Sequence, residues 1–321
     1  MLTRRSVITS MAVAGVSLLT PRRGFAAAPT VRTPVDFDLP PGACDCHVHV
    51  FDPARFPYAA ERVYTPPPAL IADLGELQAA LHFDRVVIVQ PSVYGTDNSC
   101  TLDAIRTLGA RARGVAVIGP STPAAALDDM AANGIRGVRL NFETAGESDP
   151  AAIKHHLAAV SEQVRRRNWH VQLNTSLAVI AALKDELAAL SFPVVIDHFA
   201  RAKAALGPKQ PGFGALLELV GAGRAYVKIS AAYRMSDKAP DFPDAPPIAQ
   251  ALVAANPDRI VWGSNWPHPG RGATRTDIAP PYPNDDGLLL NQLPRWVPDA
   301  AIRRKILVEN PARLYGFERM P

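Results

Sequence analysis

Two histidines and an aspartate at alternate positions, Asp45-Cys46-His47-Val48-His49, interrupt an apolar run from Ala43 to Val50. Alternate side chains of a strand share one face, so Asp45, His47 and His49 are expected to point the same way. Imidazoles and a carboxylate on a buried face must hydrogen-bond, hold a metal or act on a ligand, because leaving them unpaired is costly. Such a set at the end of an apolar strand reads as a reacting centre. By the same alternation Cys44 and Cys46 are expected on the opposite face, packed outward against helices. Three cysteines in all make no disulfide framework.

The elements that must position this strand alternate along the rest of the chain. Short apolar runs recur at 85–90, 114–119, 135–142, 170–174, 193–198, 226–230 and 259–264. Between and after them, 73–81, 98–110, 123–133, 150–167, 177–190, 213–222, 246–255, 299–307 and 311–315 read as helices. Near-continuous apolar strands separated by helices predict a parallel sheet. Eight such units predict an α/β fold, a single (β/α)8 barrel of the TIM type over residues 29–321. An open doubly wound sheet is the alternative, but no Gly-x-Gly-x-x-Gly opens any helix. The long Pro-rich loop at 51–71 is expected to cover or serve a site.

Composition narrows the function. Of 34 basic residues, Arg4, Arg5, Arg22 and Arg23 stand in residues 1–28, which hold no acid; the remaining 30 match the 30 acidic residues. A balanced chain gives no basic face for nucleic acid or an anionic membrane. Thr3-Arg4-Arg5-Ser6-Val7-Ile8, an apolar run to Leu19 and Ala26-Ala27-Ala28 read as a twin-arginine-type export signal over 1–28. The expected location is therefore the periplasm, with membrane contact only during export. A generic secretory leader or an uncleaved anchor is the alternative, and an unused signal would leave the protein in the cytoplasm.

In such barrels the strand C-termini build the site. Those ends deliver His47 and His49, then Ser92 and Asn98, Arg139 and Asn141, Gln172 and Asn174, His198 and Arg201, Tyr233 and Arg234, and Asn265 and His268. Each alone reads as a cap or a salt bridge. Their convergence on one mouth is what points to function.

With Ile196-Asp197-His198 and Trp262-Gly263-Ser264-Asn265-Trp266-Pro267-His268, the Asp45–His49 motif resembles the amidohydrolase superfamily. It is most similar to the branch of 2-pyrone-4,6-dicarboxylate lactonase and galactarolactone isomerase. Gly137-Val138-Arg139-Leu140-Asn141-Phe142, Lys228-Ile229-Ser230 with Arg234, and the 90–98 loop carry the resemblance from about residue 40 onward. It implies a lactone substrate and, in metal-dependent members, a lysine or glutamate on strand four, histidines on strands five and six and an aspartate on strand eight. This chain has Arg139, Gln172 and Asn174, and Asn265 there. Only His47, His49 and His198 remain as ligands, beside the cationic Arg139, so no metal and no other cofactor is expected.

The resemblance makes the strand-eight aspartate the base that activates water, and the amide of Asn265 cannot take that proton. The expected reaction is therefore intramolecular: a lactone isomerase that interconverts lactones of a sugar diacid, of the galactaro-1,5- to 1,4-lactone type. His47, His49 and His198 would polarise the carbonyl and stabilise the oxyanion, and His198 or His268 would move protons. Arg139 and Arg234 would hold the free carboxylate. Tyr64, Ser92, Asn98, Gln172, Arg201 and Asn265 would contact the substrate or hold the geometry. The alternatives are hydrolysis of a carboxylated lactone such as 2-pyrone-4,6-dicarboxylate, and an inactive sugar-acid binding protein. The expected partner is a small carboxylated lactone; a homo-oligomer stays open.

Overall fold

A computed structural model of the chain describes residues 28 and 30–318. The export signal expected over 1–28 lies outside the described residues, apart from Ala28. Eight strands form one parallel sheet in chain order: β1 Cys44–Val48, β2 Arg85–Val89, β3 Ala112–Ala116, β4 Ile135–Asn141, β5 His170–Asn174, β6 Val194–Ile196, β7 Ala225–Ser230 and β8 Ile260–Gly263. β2, Arg-Val-Val-Ile-Val, is buried at every position. β-Branched side chains suit a strand covered on both faces.

The sheet closes just past β8. Asn265 N–H donates to His47 O at 2.8 Å, and His49 N–H donates to Trp266 O at 2.8 Å. Asn265 holds φ 66°, a left-handed conformation that asparagine tolerates better than most residues. Gly263 lies so close to β1 that a Cβ there would meet His47 Cβ at 2.7 Å. The last strand therefore carries the first strand's histidines on its backbone.

Helices cover the outside. Pro150–Arg166 starts at Asp149, whose carboxylate accepts from Ala151 and Ala152 N–H, and it buries Ile153, Leu157, Val160 and Val164. This is the apolar stripe of an amphipathic helix behind an N-cap and an N1 proline. The helix expected at 177–190 is two, Leu177–Ala182 and Lys184–Ala189, broken at Leu183 with ψ 16°. Among the described residues no helix is long and apolar enough to cross a membrane.

One expectation about β1 fails. Cys44 and Cys46 do not face the helices; they pack with Val87, Val89, Val115, Val195, Tyr226 and Val261, beneath Tyr315 and Phe317 of the chain's end. Tyr226 shares its strand face with Lys228, whose Nζ reaches β1 and β5, so this cluster is the barrel's interior. The β1–β2 register slips between Asp45 and Val48. Simple alternation therefore does not hold, and Cys46 and His47 can both face inward.

Two loops roof the C-terminal mouth. Thr65 Oγ1 donates to Arg275 O at 2.7 Å, and Ala279 N–H donates to Thr65 O at 3.1 Å. The Pro-rich 51–71 loop is thus tied to the loop that follows β8.

Candidate active site

Beneath this roof lies a cavity of about 370 Å³. Of the residues expected at a site, His49, Tyr64, Arg139, His198, Arg201, Arg234 and Asn265 line it. The cavity also takes in Asn141, Asn174 and Tyr233 from the strand ends, and Glu143, Arg271 and Tyr282, which sequence reasoning missed. Those three stand on a short helix and an irregular loop, where no periodic pattern marks an inward residue.

The floor is a buried charge cluster centred on Asp197. Its carboxylate accepts from Arg139 Nη2 at 3.2 Å and Gln172 Nε2 at 3.1 Å. His47 Nδ1 stands 3.3 Å away and Lys228 Nζ 3.7 Å away. Lys228, fully buried, also donates to Gln172 Oε1 at 2.8 Å and to Cys46 O at 2.9 Å. Burial works against ionisation of Asp197, but His47, Lys228 and Arg139 together hold its carboxyl well below the usual range. Burial pulls Lys228 down to about 8, with Asp197 resisting. Burial and then the Lys228 charge push His47 down to about 3, so its ring is neutral. A lysine in the otherwise apolar strand Ala-Tyr-Val-Lys-Ile-Ser was the sequence signal for this cluster.

His49 and His198 face the cavity. His49 Nδ1 lies 2.7 Å from Val89 O; a carbonyl only accepts, so Nδ1 carries the proton and Nε2 is a bare lone pair. His198 begins a left-handed turn in which His198, Phe199, Ala200 and Arg201 all have φ between 51° and 60°. Such backbone costs roughly 1–2 kcal/mol per residue. The turn sets His198 and Arg201 on one side, and Ser230 Oγ fixes His198 Nδ1 at 2.8 Å. Burial lowers both rings well below their usual range.

Several expected residues stand elsewhere. Asn98 is a bracket: its side chain donates to Thr96 O and Val117 O and accepts from Val117 N–H. Gln172 is fully buried between Asp197 and Lys228 and does not line the cavity. Ser92 sits behind the cavity wall beside the Tyr64 phenol. His47 lies under the cavity, with its Nε2 buried and unpartnered. His268 is fully buried off the cavity, with Tyr233 OH at 3.2 Å and Asp286 Oδ1 at 3.0 Å. For Asn98, Gln172 and His268 a nearer protein partner takes the group that a strand-end position alone would give to substrate, whereas Ser92 Oγ and His47 Nε2 are buried away from it. Asp45 likewise turns from the cavity to accept His47 and Ser264 N–H, both at 3.0 Å.

The arginines divide by partner. Arg139 is engaged by Asp197, and Arg201 pairs with Glu143 at 3.0 Å. Among the described residues no carboxylate pairs with Arg234, whose Nε is buried and unpartnered and whose guanidinium lies 5.7 Å from the Tyr233 ring. It is a ready site for an acid group.

His47, Asp197 and His198 offer atoms that lie within 4.8 Å of one another, and the orphaned His47 Nε2 invites a ligand. The charges argue otherwise. A divalent ion would sit beside Lys228 and Arg139, which already outnumber the single carboxylate, in a buried site where like charges repel strongly. The donor set fits a divalent cation poorly.

A closed parallel barrel with histidines, arginines and amides at its strand C-termini is the architecture of an amidohydrolase. The profile of that family matches residues 44–317, and the chain belongs to it. It is an enzyme of that family, and three relatives are close. A 4-sulfomuconolactone hydrolase of Rhizobium radiobacter is 37% identical over 285 residues, covering 88% of this chain and 93% of that protein. A 2-pyrone-4,6-dicarboxylate hydrolase of Comamonas testosteroni is 36% identical over 295 residues, with coverage of 88% and 93%. The D-galactarolactone isomerase of Agrobacterium fabrum is 30% identical over 279 residues, covering 86% and 92%.

Proposed function

We propose that this enzyme transfers the acyl group of a lactone that carries an acid group, and that a hydroxyl of the same substrate is the acceptor. The observation behind this reading is Asn265, which lines the cavity at the strand-eight position. A carboxamide has no basic lone pair with which to strip a proton from water. A substrate hydroxyl held against the carbonyl needs less activation, because proximity supplies an effective concentration that free water lacks.

Arg234 holds the acid group as a guanidinium fork. The carbonyl oxygen is met by His198 and Arg139, which can donate. His49 presents a lone pair and His47 lies beneath the cavity, so neither donates to an oxyanion there. Tyr64, Asn141 and Asn174 are left for substrate hydroxyls. Lys228 and Arg139 supply fixed positive charge close to the reacting carbonyl, so the reaction runs without a metal.

Incubation with galactaro-1,5-lactone, followed by NMR, tests this reading. A 1,4-lactone phase ahead of the open diacid is expected; the diacid without that phase overturns it. Asn265→Asp is expected to convert the outcome to hydrolysis. Full activity after exhaustive chelation is expected, whereas loss restored by zinc would overturn the metal-free part. Hydrolysis of a carboxylated or sulfonated lactone is the second reading, favoured by the hydrolase names of the relatives at 36–37% identity. Residues 1–28 would direct export, and recovery of a mature chain beginning near residue 29 from the periplasm tests that.

A further inference from the structure

Acyl transfer to a hydroxyl requires a group that takes the hydroxyl's proton and returns one to the leaving oxygen. This requirement rests on the lactone reading above. Asn265 cannot meet it, and burial leaves His49 and His198 as poor proton acceptors. On the β7–β8 wall, however, four side chains form one line. Asn265 Nδ2 lies 2.6 Å from Tyr233 OH, Tyr233 OH 3.2 Å from His268 Nδ1, and His268 Nε2 3.0 Å from Asp286 Oδ1.

The donors and acceptors in this line have one consistent order. A carboxylate only accepts, so His268 Nε2–H donates to Asp286 and leaves the Nδ1 lone pair facing the phenol. The Asn265 amide donates to the phenol oxygen. The Tyr233 proton therefore points at His268. His268 and Asp286 are fully buried, while half-buried Tyr233 lines the cavity. We propose that Tyr233 is the proton-transfer residue of this enzyme, poised by His268 and Asp286 in place of the missing strand-eight carboxylate.

The step balances. The attacking substrate hydroxyl passes its proton to the Tyr233 oxygen as Tyr233 passes its own to His268 Nδ1. The hydroxyl oxygen bonds the carbonyl carbon, and the carbonyl π electrons move to oxygen. On collapse they re-form the carbonyl, and the original ring C–O bond breaks. The departing oxygen takes a proton from Tyr233, which regains one from His268. Asp286 stabilises the transient imidazolium and holds the tautomer. Tyr233 is the catalytic residue; His268 and Asp286 are positioning residues. Burial raises the Tyr233 phenol above its usual range, against the pull of Arg234 and Asn265, so it rests protonated.

Tyr233→Phe keeps the ring beside Arg234 and Tyr282 and removes only the hydroxyl. Its kcat for the lactone is expected to fall on the order of 10²-fold or more, with KM little changed. Adding Asn265→Asp to that variant is expected to restore turnover as hydrolysis. A Tyr233→Phe enzyme with kcat within about threefold of wild type, far below the roughly 10²-fold minimum of acid–base catalysis, overturns the proposal. A second arm needs no substrate. Histidine ¹H–¹⁵N spectra are expected to show His268 protonated at Nε2 and bare at Nδ1. The Nδ1 signal should move in Tyr233→Phe and the Nε2–H signal in Asp286→Asn. The opposite tautomer, or no response to either substitution, overturns the relay whether or not a lactone reacts. A wild-type enzyme that turns over no lactone would overturn the lactone reading alone.

Discussion

Beneath the cavity, Asp197 is enclosed by His47, Gln172, Lys228 and Arg139, with both the acid and the lysine fully buried. On the β7–β8 wall, Tyr233 has Asn265 on one side and His268 on the other and opens onto the cavity. The first cluster is charged, crowded and shut away from solvent. The second is a single file whose end meets substrate. A buried network whose charges face one another fixes positions and fields rather than passing protons to a ligand. A file with one open end can pass a proton to something that was not there before. Proximity to the strand-one histidines is thus a poor guide to which cluster moves protons.

Substitutions should separate the two. The largest effect is expected in the floor. Asp197→Asn strands Lys228 and Arg139 without their anion and should cost about 3–5 kcal/mol of folding stability; urea unfolding measures it. A loss under about 1 kcal/mol would mean that the cluster is not the structural centre described. On the wall, Arg234→Met should leave stability nearly intact and raise KM about 30-fold, the equivalent of about 2 kcal/mol for a charge-assisted hydrogen bond to an acid group. A change in kcat with unaltered KM would move Arg234 from binding to chemistry. Asn98→Ala removes a bracket away from both clusters and should cost about 1–2 kcal/mol of stability without altering kcat.

Acid should act through the floor. The folded pKa of His47 is about 3, below the ordinary 6.5. The unfolded chain therefore binds more protons between those values, and stability is lost as pH falls from about 6.5 towards 3. His49 and His198 shift in the same direction. Thermal unfolding across that range should show a steadily falling midpoint, and a midpoint that stays flat to pH 4 would contradict neutral buried rings.

The barrel was legible in the sequence because its strands are short apolar runs of a kind that only two-sided burial explains, as in Val86-Val87-Ile88-Val89. The side on which Cys44 and Cys46 fall was not, because alternation assumes an unbroken register and β1 slips. The cavity-facing His49, His198, Arg139, Arg201, Arg234, Tyr64 and Asn265 were legible from their places at strand ends. Gln172, Asn98, Ser92 and His268 occupy similar places but do not line the cavity, since a strand end does not reveal which polar groups are buried behind it or held by other side chains. His268 keeps its expected proton-moving part in the proposed relay, through Tyr233. Asp286 gave no signal at all. It opens the short helix Asp286–Leu290 far beyond β8, and only the fold brings it to His268.

The seam between β8 and β1 has a consequence for how such an enzyme changes trade. The clasp is made by the N–H of residue 265 and the carbonyl of His47, not by the side chain. Asparagine and aspartate share the tolerance for the left-handed backbone found there. The backbone therefore accepts a carboxylate or a carboxamide alike in a socket that the barrel holds open for reasons of its own, although only the carboxamide can donate to the Tyr233 oxygen. On the proposed chemistry, one exchange at that socket would redirect the reaction while the surrounding architecture stays as it is.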